Sequence, residues 1–318
     1  MKIPLRRVIS TAAVLGALTL AGCASGTGST DGPAGAVLQA ANQRALAGSF
    51  QVAFSGQLQV DLSGVTPPAG VTAGELSLVQ SAINSTELTG VAQVQNSKEV
   101  SLTVSLKPLL TQTWHVLYLA GSEYISDNGT QWHEVPASSS SKAAAGDAGQ
   151  YKSDFKTWGD DLRNEVTVTK LGTTTIAGEP VEHIQTAISG ANLNQALATI
   201  LSQALGGLGS QGASLKSDLP AIEGLIQFTQ VKSDSYVLTS DGDLVRTDVT
   251  AGLTIDLSQL AALDPAQTGL PTGSVPITAT FTANFSDYGQ DFNLSKPSHI
   301  VAGPVPTPSG LGSAFGLA

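Results

Sequence analysis

Few residues of this chain have the types and spacing that catalysis requires. The sequence contains no Gly-x-Ser-x-Gly motif, so a nucleophilic serine on a strand-to-helix turn is not predicted. The four histidines stand far apart and lack the His-x-x-x-His spacing of a zinc site: His115, His133, His183 and His299. Cys23 is the only cysteine, which excludes a disulfide, a CxxC redox pair and a thiolate metal site. The sequence therefore predicts no metal, no cofactor and no enzymatic activity.

Two other patterns resemble binding or catalytic motifs but lack their context. Residues 207–212 match Gly-x-Gly-x-x-Gly, yet they follow an apolar helical pattern rather than a strand, which favours a helix end and a loop over a phosphate site. The acidic pairs are Asp160–Asp161 and Asp241 with Asp243. They could supply the two carboxylates of a glycosidase, but a helix face and a turn account for them more simply.

The cysteine has the context of a lipid-modified residue. Residues 1–22 have the pattern of an export signal, because three cations precede an apolar run at residues 8–20 and small residues follow it. At about 13 residues the apolar run is too short to cross a bilayer, which needs roughly 20. The run ends in Leu-Ala-Gly-Cys at residues 20–23, which resembles the bacterial lipobox, whose cysteine is acylated and becomes the mature N-terminus.

We therefore predict that Cys23 carries palmitate-type acyl chains. Two or three chains on one residue give stable anchoring, where a single myristoyl chain is marginal. The alternative, an ordinary signal peptide with an unrelated cysteine, leaves the position of the only cysteine unexplained.

Composition limits the kinds of partner. The formal net charge is -10, and removing the leader's three cations leaves 12 basic against 25 acidic residues, or -13. Such a surface repels nucleic acid and gains nothing from anionic lipid headgroups. The 41% hydrophobic content is enough for a core. Four segments are predicted: an export signal at 1–22, an acylated cysteine with a flexible tether at 23–33, one folded body at 34–300 and a disordered tail at 301–318.

Within the body, hydrophobic periodicity predicts an α+β fold. A repeat of 3.6 residues favours helices and strict alternation favours half-buried strands, which imply an antiparallel sheet with one apolar face. Helices are predicted at 34–48, 74–84, 153–164, 192–208 and 219–228. Strands are predicted at 49–61, 86–95, 99–107, 114–120, 122–126, 131–135, 165–175, 181–189, 236–239, 244–248, 275–285 and 292–294.

Two of these helices carry apolar stripes that have two possible interpretations. They are either ordinary core helices or the wall of an apolar cavity for a lipid. The candidate cavity residues are Phe155, Trp158 and Leu162 on one helix and Leu193, Leu197, Ile200, Leu201 and Leu205 on the next. The pairs Trp114–His115 and Trp132–His133 could form a ligand-facing aromatic pair, but core tryptophans with outward histidines are the simpler arrangement.

Taken in order, several segments resemble the LppX/LprG-type lipoproteins of actinobacteria, part of the wider LolA-like group. They are the lipobox, the helix leading into the strand at 49–50, Tyr-Leu-Ala-Gly-Ser-Glu-Tyr-Ile at 118–125 with Trp132 after a turn, Gly-Glu-Pro-Val-Glu at 178–182, and residues 236–248. The resemblance implies a strongly curved antiparallel half-barrel with helices packed on its concave face and acyl chains held between them. The chain departs from the family pattern through insertions at 62–84 and 206–220.

These observations lead to one functional hypothesis and one alternative. The hypothesis is a monomeric, non-enzymatic lipoprotein that is anchored on the extracytoplasmic face of the cell membrane and binds or transfers a lipid or glycolipid. The alternative is an envelope interaction or sensor lipoprotein whose half-barrel is fully packed and holds no lipid. A well-formed apolar cavity would separate the two.

Overall fold

The computed structural model describes residues 32–68, 70–96, 99–108, 113–119, 121–135, 166–195, 224–260 and 269–303. Within these ranges the chain forms two complete helices, a helical turn at 190–195, a 3-10 turn at Leu257–Gln259 and eleven strands. The helices are α1 (Pro33–Ala47) and α2 (Ala73–Asn84). The strands are β1 (Phe50–Val60), β2 (Glu87–Asn96), β3 (Glu99–Lys107), β4 (Thr113–Leu119), β5 (Ser122–Ser126), β6 (His133–Val135), β7 (Val166–Ile176), β8 (Glu179–Ser189), β9 (Ile226–Leu238), β10 (Leu244–Asp256) and β11 (Ser274–Ser286).

All eleven strands belong to one antiparallel sheet. Their order is β6-β5-β4-β3-β2-β1-β11-β10-β9-β8-β7, so the first six strands form one half and the last five form the other. The two halves meet where β1 pairs with β11. Among the described strands, β6 and β7 are the two edges and the sheet does not close. The predicted α+β fold, built on an open antiparallel sheet with helical packing, is confirmed.

Helix α1 packs on one face of the sheet, which we call the inner face. Leu38 and Ala41 contact a cluster from β8, β9 and β10, whereas Ala45 joins a second cluster from β1 to β5 and β11. A helix that spans both clusters fastens the two halves of the sheet together. The first cluster contains Ile184, Val237 and Leu244; the second contains Phe50, Val52, Phe54, Ala92, Leu102, Val104, Trp114, Ile125 and Ala283.

The opposite, outer face carries polar side chains along β8 to β11. Asp234 accepts hydrogen bonds across strands at 2.8 Å from His183 Nε2 and at 3.0 Å from Gln185 Nε2. Asp248 pairs with Arg246 Nε at 2.9 Å and accepts a bond from Thr282 Oγ1 at 2.7 Å. These partly exposed pairs, of which Arg246–Asp248 lies within β10 and the others join neighbouring strands, contribute modestly to stability, since solvent screens each of them.

Over β2 to β5 the outer face is covered by the segment that follows β11. The backbone N–H of Phe292 donates to the Gln95 side chain at 2.8 Å, and Lys296 Nζ lies 5.7 Å from the ring centroid of Tyr124. Farther along, Trp132 and Ile300 form an isolated parallel bridge. This covering segment, residues 287–303, explains why Tyr124 is buried although it points away from α1.

Most predicted elements have their counterparts, but four differ. The helix predicted at 219–228 is wrong from Ile226 onward, where β9 begins. The strand predicted at 292–294 is also wrong, because these residues belong to the covering segment and form no strand. Strands β9 and β10 are much longer than the predicted 236–239 and 244–248. Residues 153–164 and most of 192–208 lie outside the described ranges.

Tyr288 ties the start of the covering segment to the rest of the fold. Its hydroxyl donates to the Leu244 carbonyl at 2.6 Å, and its ring lies 6.1 Å from that of Phe50. Burial, and to a smaller extent the nearby carboxylates of Asp243 and Asp241, raises the pKa of Tyr288. The folded protein therefore favours the neutral phenol.

This contact gives a prediction that includes a pH dependence. Tyr288→Phe keeps the ring and removes the hydrogen bond, so the free energy of unfolding should fall by about 0.5–1.5 kcal/mol at neutral pH. The part of the free energy of unfolding that is linked to the raised pKa of Tyr288 is fully present below the ordinary phenol pKa of about 10. It is lost as the pH rises beyond that value. Urea unfolding at pH 7 and pH 11 should therefore show a smaller difference between variant and wild type at pH 11. A constant difference would contradict this account.

Candidate functional site

Most of the predicted site residues lie outside the described residues. The lipidation residue Cys23 lies outside the described residues, as do Phe155, Trp158, Leu162, Leu197, Ile200, Leu201 and Leu205. Leu193 is described, and it is buried. The geometry of the candidate site is therefore built from Leu193 and the inner face of the sheet.

Leu193 lies on the inner face near the end of β8. It belongs to a helical turn, residues 190–195, that follows β8 directly, and it packs against Ile188. Val166, Phe228 and Val231 surround this pair and are partly buried. The first described turn of the predicted 192–208 helix thus lies on the same face of the sheet as α1.

Two features hold this turn against β9. The Asn194 side chain bonds the backbone of Phe228 in both directions, since Oδ1 accepts from the Phe228 N–H at 2.7 Å and Nδ2 donates to its carbonyl at 3.3 Å. Gly190 lies so close to the carbonyls of Phe228 and Thr229 that a Cβ there would clash with backbone. The helix start therefore has a fixed position relative to the sheet.

Beside this turn, the inner face has a row of apolar residues with little side-chain bulk. Ala251 of β10 pairs with Ala279 of β11 and with Val231 of β9, and Ala279 pairs in turn with Leu58 of β1. Ala251 and Ala279 are partly exposed, and Leu58 is 40% exposed. Because neither alanine side chain extends beyond Cβ, we expect the row to form a shallow apolar depression between its larger neighbours.

On the inner side of the sheet, Asn42, Trp114 and His133 have buried polar atoms without a hydrogen-bond partner, as does Glu182 at Oε2. Both Nδ2 and Oδ1 of Asn42 are unpartnered, and the residue is only 1% exposed. Trp114 Nε1 and His133 Nδ1 are likewise buried and unpartnered. Such atoms lose their hydration without compensation, which is unfavourable in a core that stays empty of ligand.

The two Trp–His pairs of the sequence differ in arrangement. Trp114 is a core residue and His115 points to the outer face, where its Nδ1 lies 3.1 Å from Thr103 Oγ1, as predicted. The second pair is reversed, which corrects the prediction. The centroid of the Trp132 ring lies 6.3 Å from that of the His115 ring, whereas His133 pairs with the inner-face residue Ile125. The reversal follows from Trp132 preceding β6 and bonding to the covering segment instead of the sheet.

Asn42 was not among the predicted site residues. It occupies the position one turn after Leu38 and one turn before Ala45, in the middle of the buried side of α1. A polar residue among apolar positions of an amphipathic helix is a signal that the sequence does contain. Its lack of a partner becomes visible only in the folded structure.

The described residues form two grooves. One, of about 540 Å³, is at the ends of β7, β8 and β9, where outer-face residues such as Thr167 and Lys232 line it together with Ile188 and with Asn192 of the helical turn. The other, of about 240 Å³, is on β1 and β11, beside Gln57 and Thr280. The second groove has polar walls that do not suit acyl chains, whereas the first also includes the apolar side chains of Ala187 and Ile188.

In the described ranges, no helix is long and apolar enough to cross a membrane. The same residues contain no group of three or more His, Cys, Asp or Glu side chains that could hold a metal ion.

Comparison with known proteins gives structural matches only. No protein-family model matches the chain, and no curated protein matches its sequence. Lipoprotein LppX from Mycobacterium tuberculosis matches with 9% identity over 82% of this chain and 97% of that chain, at a TM-score of 0.38. LprF from Mycobacterium bovis matches with 11% identity over 88% of this chain and 97% of that chain, at a TM-score of 0.33. A LolA superfamily protein from Nitrosomonas europaea matches with 8% identity over 83% and 97%, at a TM-score of 0.22.

Proposed function

We propose that this chain is a non-enzymatic lipoprotein that is anchored by acylated Cys23 to the extracytoplasmic face of the cell membrane and binds acyl chains of a lipid or glycolipid on the inner face of its sheet. Residues 23–33 serve as the tether, residues 34–300 as the lipid-binding body and residues 301–318 as a disordered tail. The protein acts as a monomer. Export and anchoring are supported by the signal pattern and by the position of the cysteine after it.

The observation that carries the proposal is the contrast between the two faces of the sheet. The outer face carries cross-strand polar pairs, such as His183 with Asp234, and a polar groove beside Gln57 and Thr280. On the inner face the row Leu58, Ala279, Ala251 and Val231 is apolar and shallow. An apolar depression of this kind accepts hydrocarbon, which has no hydrogen bonds to satisfy.

Energetics suit a carrier that uses no nucleotide or metal. Each acyl CH₂ group moved from hydrocarbon to water costs about 0.8 kcal/mol, so a 16-carbon chain leaving a bilayer for water costs on the order of 12 kcal/mol. An aliphatic slot in the protein offsets most of this cost. Uptake from one membrane and delivery to another can then be close to isoenergetic.

Lipid uptake from vesicles tests the proposal. The full chain carrying Cys23→Ala, which lacks the acylation site, is incubated with vesicles of bacterial lipids and then separated from them by gel filtration. The protein fraction should contain acylated lipid at close to one molecule per chain. Protein that stays free of lipid under these conditions would support the packed, surface-acting alternative.

A further inference from the structure

Helix α2 turns apolar side chains to solvent. Leu78 is 72% exposed, more than any other large apolar residue in the described ranges, and Val79 is 42% exposed. Ala82, one turn beyond, is exposed as well. Positions 78, 79 and 82 lie on one side of a helix, so these residues form a continuous surface, which we call the α2 patch. Apolar residues that are grouped on a surface, unlike scattered ones, indicate a site of interaction.

The opposite, polar side of α2 faces the protein. Asn84 Oδ1 accepts from the Val60 N–H at 2.7 Å, and Asn84 Nδ2 donates to the Val60 carbonyl at 3.0 Å. Gln80 Oε1 accepts from the Leu62 N–H at 2.8 Å. All of α2 is described and none of its residues is buried, so hydrogen bonds rather than a buried apolar face fix the helix to the end of β1. An amphipathic helix on a protein core has the reverse arrangement.

The α2 patch lies near one end of the apolar row on the inner face. Val60, which Asn84 holds, follows Leu58 by two residues on β1, so both side chains point to the inner face. Leu58 is the first residue of the row and is 40% exposed. A helix with its side chains is about 10–12 Å across, so a surface that touches the α2 patch lies within roughly that distance of the strand end.

The size and charge of the α2 patch favour a lipid bilayer as its partner. A stable interface between proteins buries roughly 800 Å² on each side, far more than three short side chains provide. A bilayer requires no complementary shape, and a small apolar contact adds to an acyl anchor as a second membrane signal. Glu75 is the only charged residue from 62 to 86, so the contact depends on hydrocarbon and not on anionic headgroups.

We propose that the α2 patch inserts into the interfacial layer of the membrane and holds the Leu58 end of the apolar row against the lipids. This inference rests on the proposed function, because the membrane is the one to which acylated Cys23 would anchor the chain and the row is the site that acyl chains would occupy. It adds a second membrane contact, which acts on the rate of lipid uptake. The amount of lipid bound at equilibrium is set by the row itself.

A fluorescent label on the α2 patch tests membrane contact directly. Cys23→Ala removes the only cysteine, so Leu78→Cys in the full Cys23→Ala chain gives a single site for a polarity-sensitive dye. With phosphatidylcholine vesicles, the emission should shift to shorter wavelength and intensify several-fold, because the dye leaves water for the acyl boundary. The aqueous spectrum should return once gel filtration removes the vesicles, even where the chain retains lipid.

The matched control for the label is Leu171→Cys in the same background. Leu171 is 51% exposed but lies on the edge strand β7, five strands away from β1 in the sheet. A dye at this position should keep the aqueous spectrum when vesicles are added.

A second variant tests whether the contact serves lipid uptake. Leu78→Gln keeps a helix propensity close to that of leucine and removes apolar surface at an exposed position, so the fold should be retained. Its initial rate of uptake from the same vesicles should fall roughly five- to tenfold, because most of the transfer free energy of one leucine is lost. The lipid bound per chain at equilibrium should stay unchanged. Leu171→Thr should match the parent chain in both measurements.

The possible results separate this inference from the proposed function. If the dye at position 78 keeps its aqueous spectrum, or if Leu78→Gln takes up lipid at the parent rate, the membrane contact is wrong, and acyl binding stands as long as the parent chain retains lipid. If the dye responds to vesicles but the parent chain retains no lipid, acyl binding fails and the contact of the α2 patch with the membrane stands. A dye response that rises with protein concentration in the absence of vesicles would identify the patch as a contact between two copies and overturn the proposal.

Discussion

Replacing Cys23 by alanine is expected to move the protein almost completely from the membrane fraction to the soluble fraction. Two or three acyl chains on Cys23 would give stable anchoring, and the apolar run at residues 8–20 is too short to replace them as a membrane span. The measurement is fractionation of cells that express either form, with a high-salt wash to remove proteins held by charge.

The matched control for this variant is Ser25→Ala, two residues beyond the cysteine in the predicted tether. It should remain in the membrane fraction like the wild type. If Cys23→Ala still sediments with membranes after the salt wash, the lipobox interpretation is wrong.

Filling the inner-face depression is expected to abolish lipid uptake. Ala251 lies in the row between Ala279 and Val231 and is partly exposed, so the large ring of Ala251→Trp occupies the space that acyl chains would use. Because the site has spare room, the free energy of unfolding should change by less than the roughly 1–3 kcal/mol that overpacking a filled core costs. The measurement is bound lipid per chain after vesicle incubation, together with the urea midpoint.

Thr250→Trp is the control for position and size. Thr250 is the neighbouring residue on the same strand and therefore points to the outer face. The Thr250→Trp variant should bind lipid normally. A marked loss of stability in Ala251→Trp would show that the row is already packed. Normal lipid uptake by that variant would place the acyl chains elsewhere.

The sheet was predictable where its alternation of apolar and polar residues is strong. Phe50, Val52 and Phe54 alternate with polar or small residues, and the strand they indicate is β1. The long strands β9 and β10 were only partly found, because inner-face positions such as Ser233, Ser235 and Thr247 are polar. A period-two pattern needs apolar residues at every second position to be visible in the sequence.

The candidate site was less accessible to sequence reasoning than the fold. The helical periodicity placed Leu193 in an apolar stripe, but only the pairing of β8 and β9 shows that this residue lies on the inner face. Asn42 carries no motif, and its importance depends on the absence of a partner in the folded chain. The covering segment was also missed, since its contacts, such as Phe292 with Gln95, join residues far apart in sequence.

Native mass spectrometry of the Cys23→Ala chain after vesicle incubation and gel filtration tests lipid binding most directly. Gentle ionisation preserves a lipid held in a protein slot, and activation in the gas phase releases it for identification by mass. We expect a main species heavier than the bare chain by the mass of one acylated lipid, and expect that species to be absent from Ala251→Trp. A spectrum that shows only the bare chain for both proteins would contradict lipid binding on the inner face.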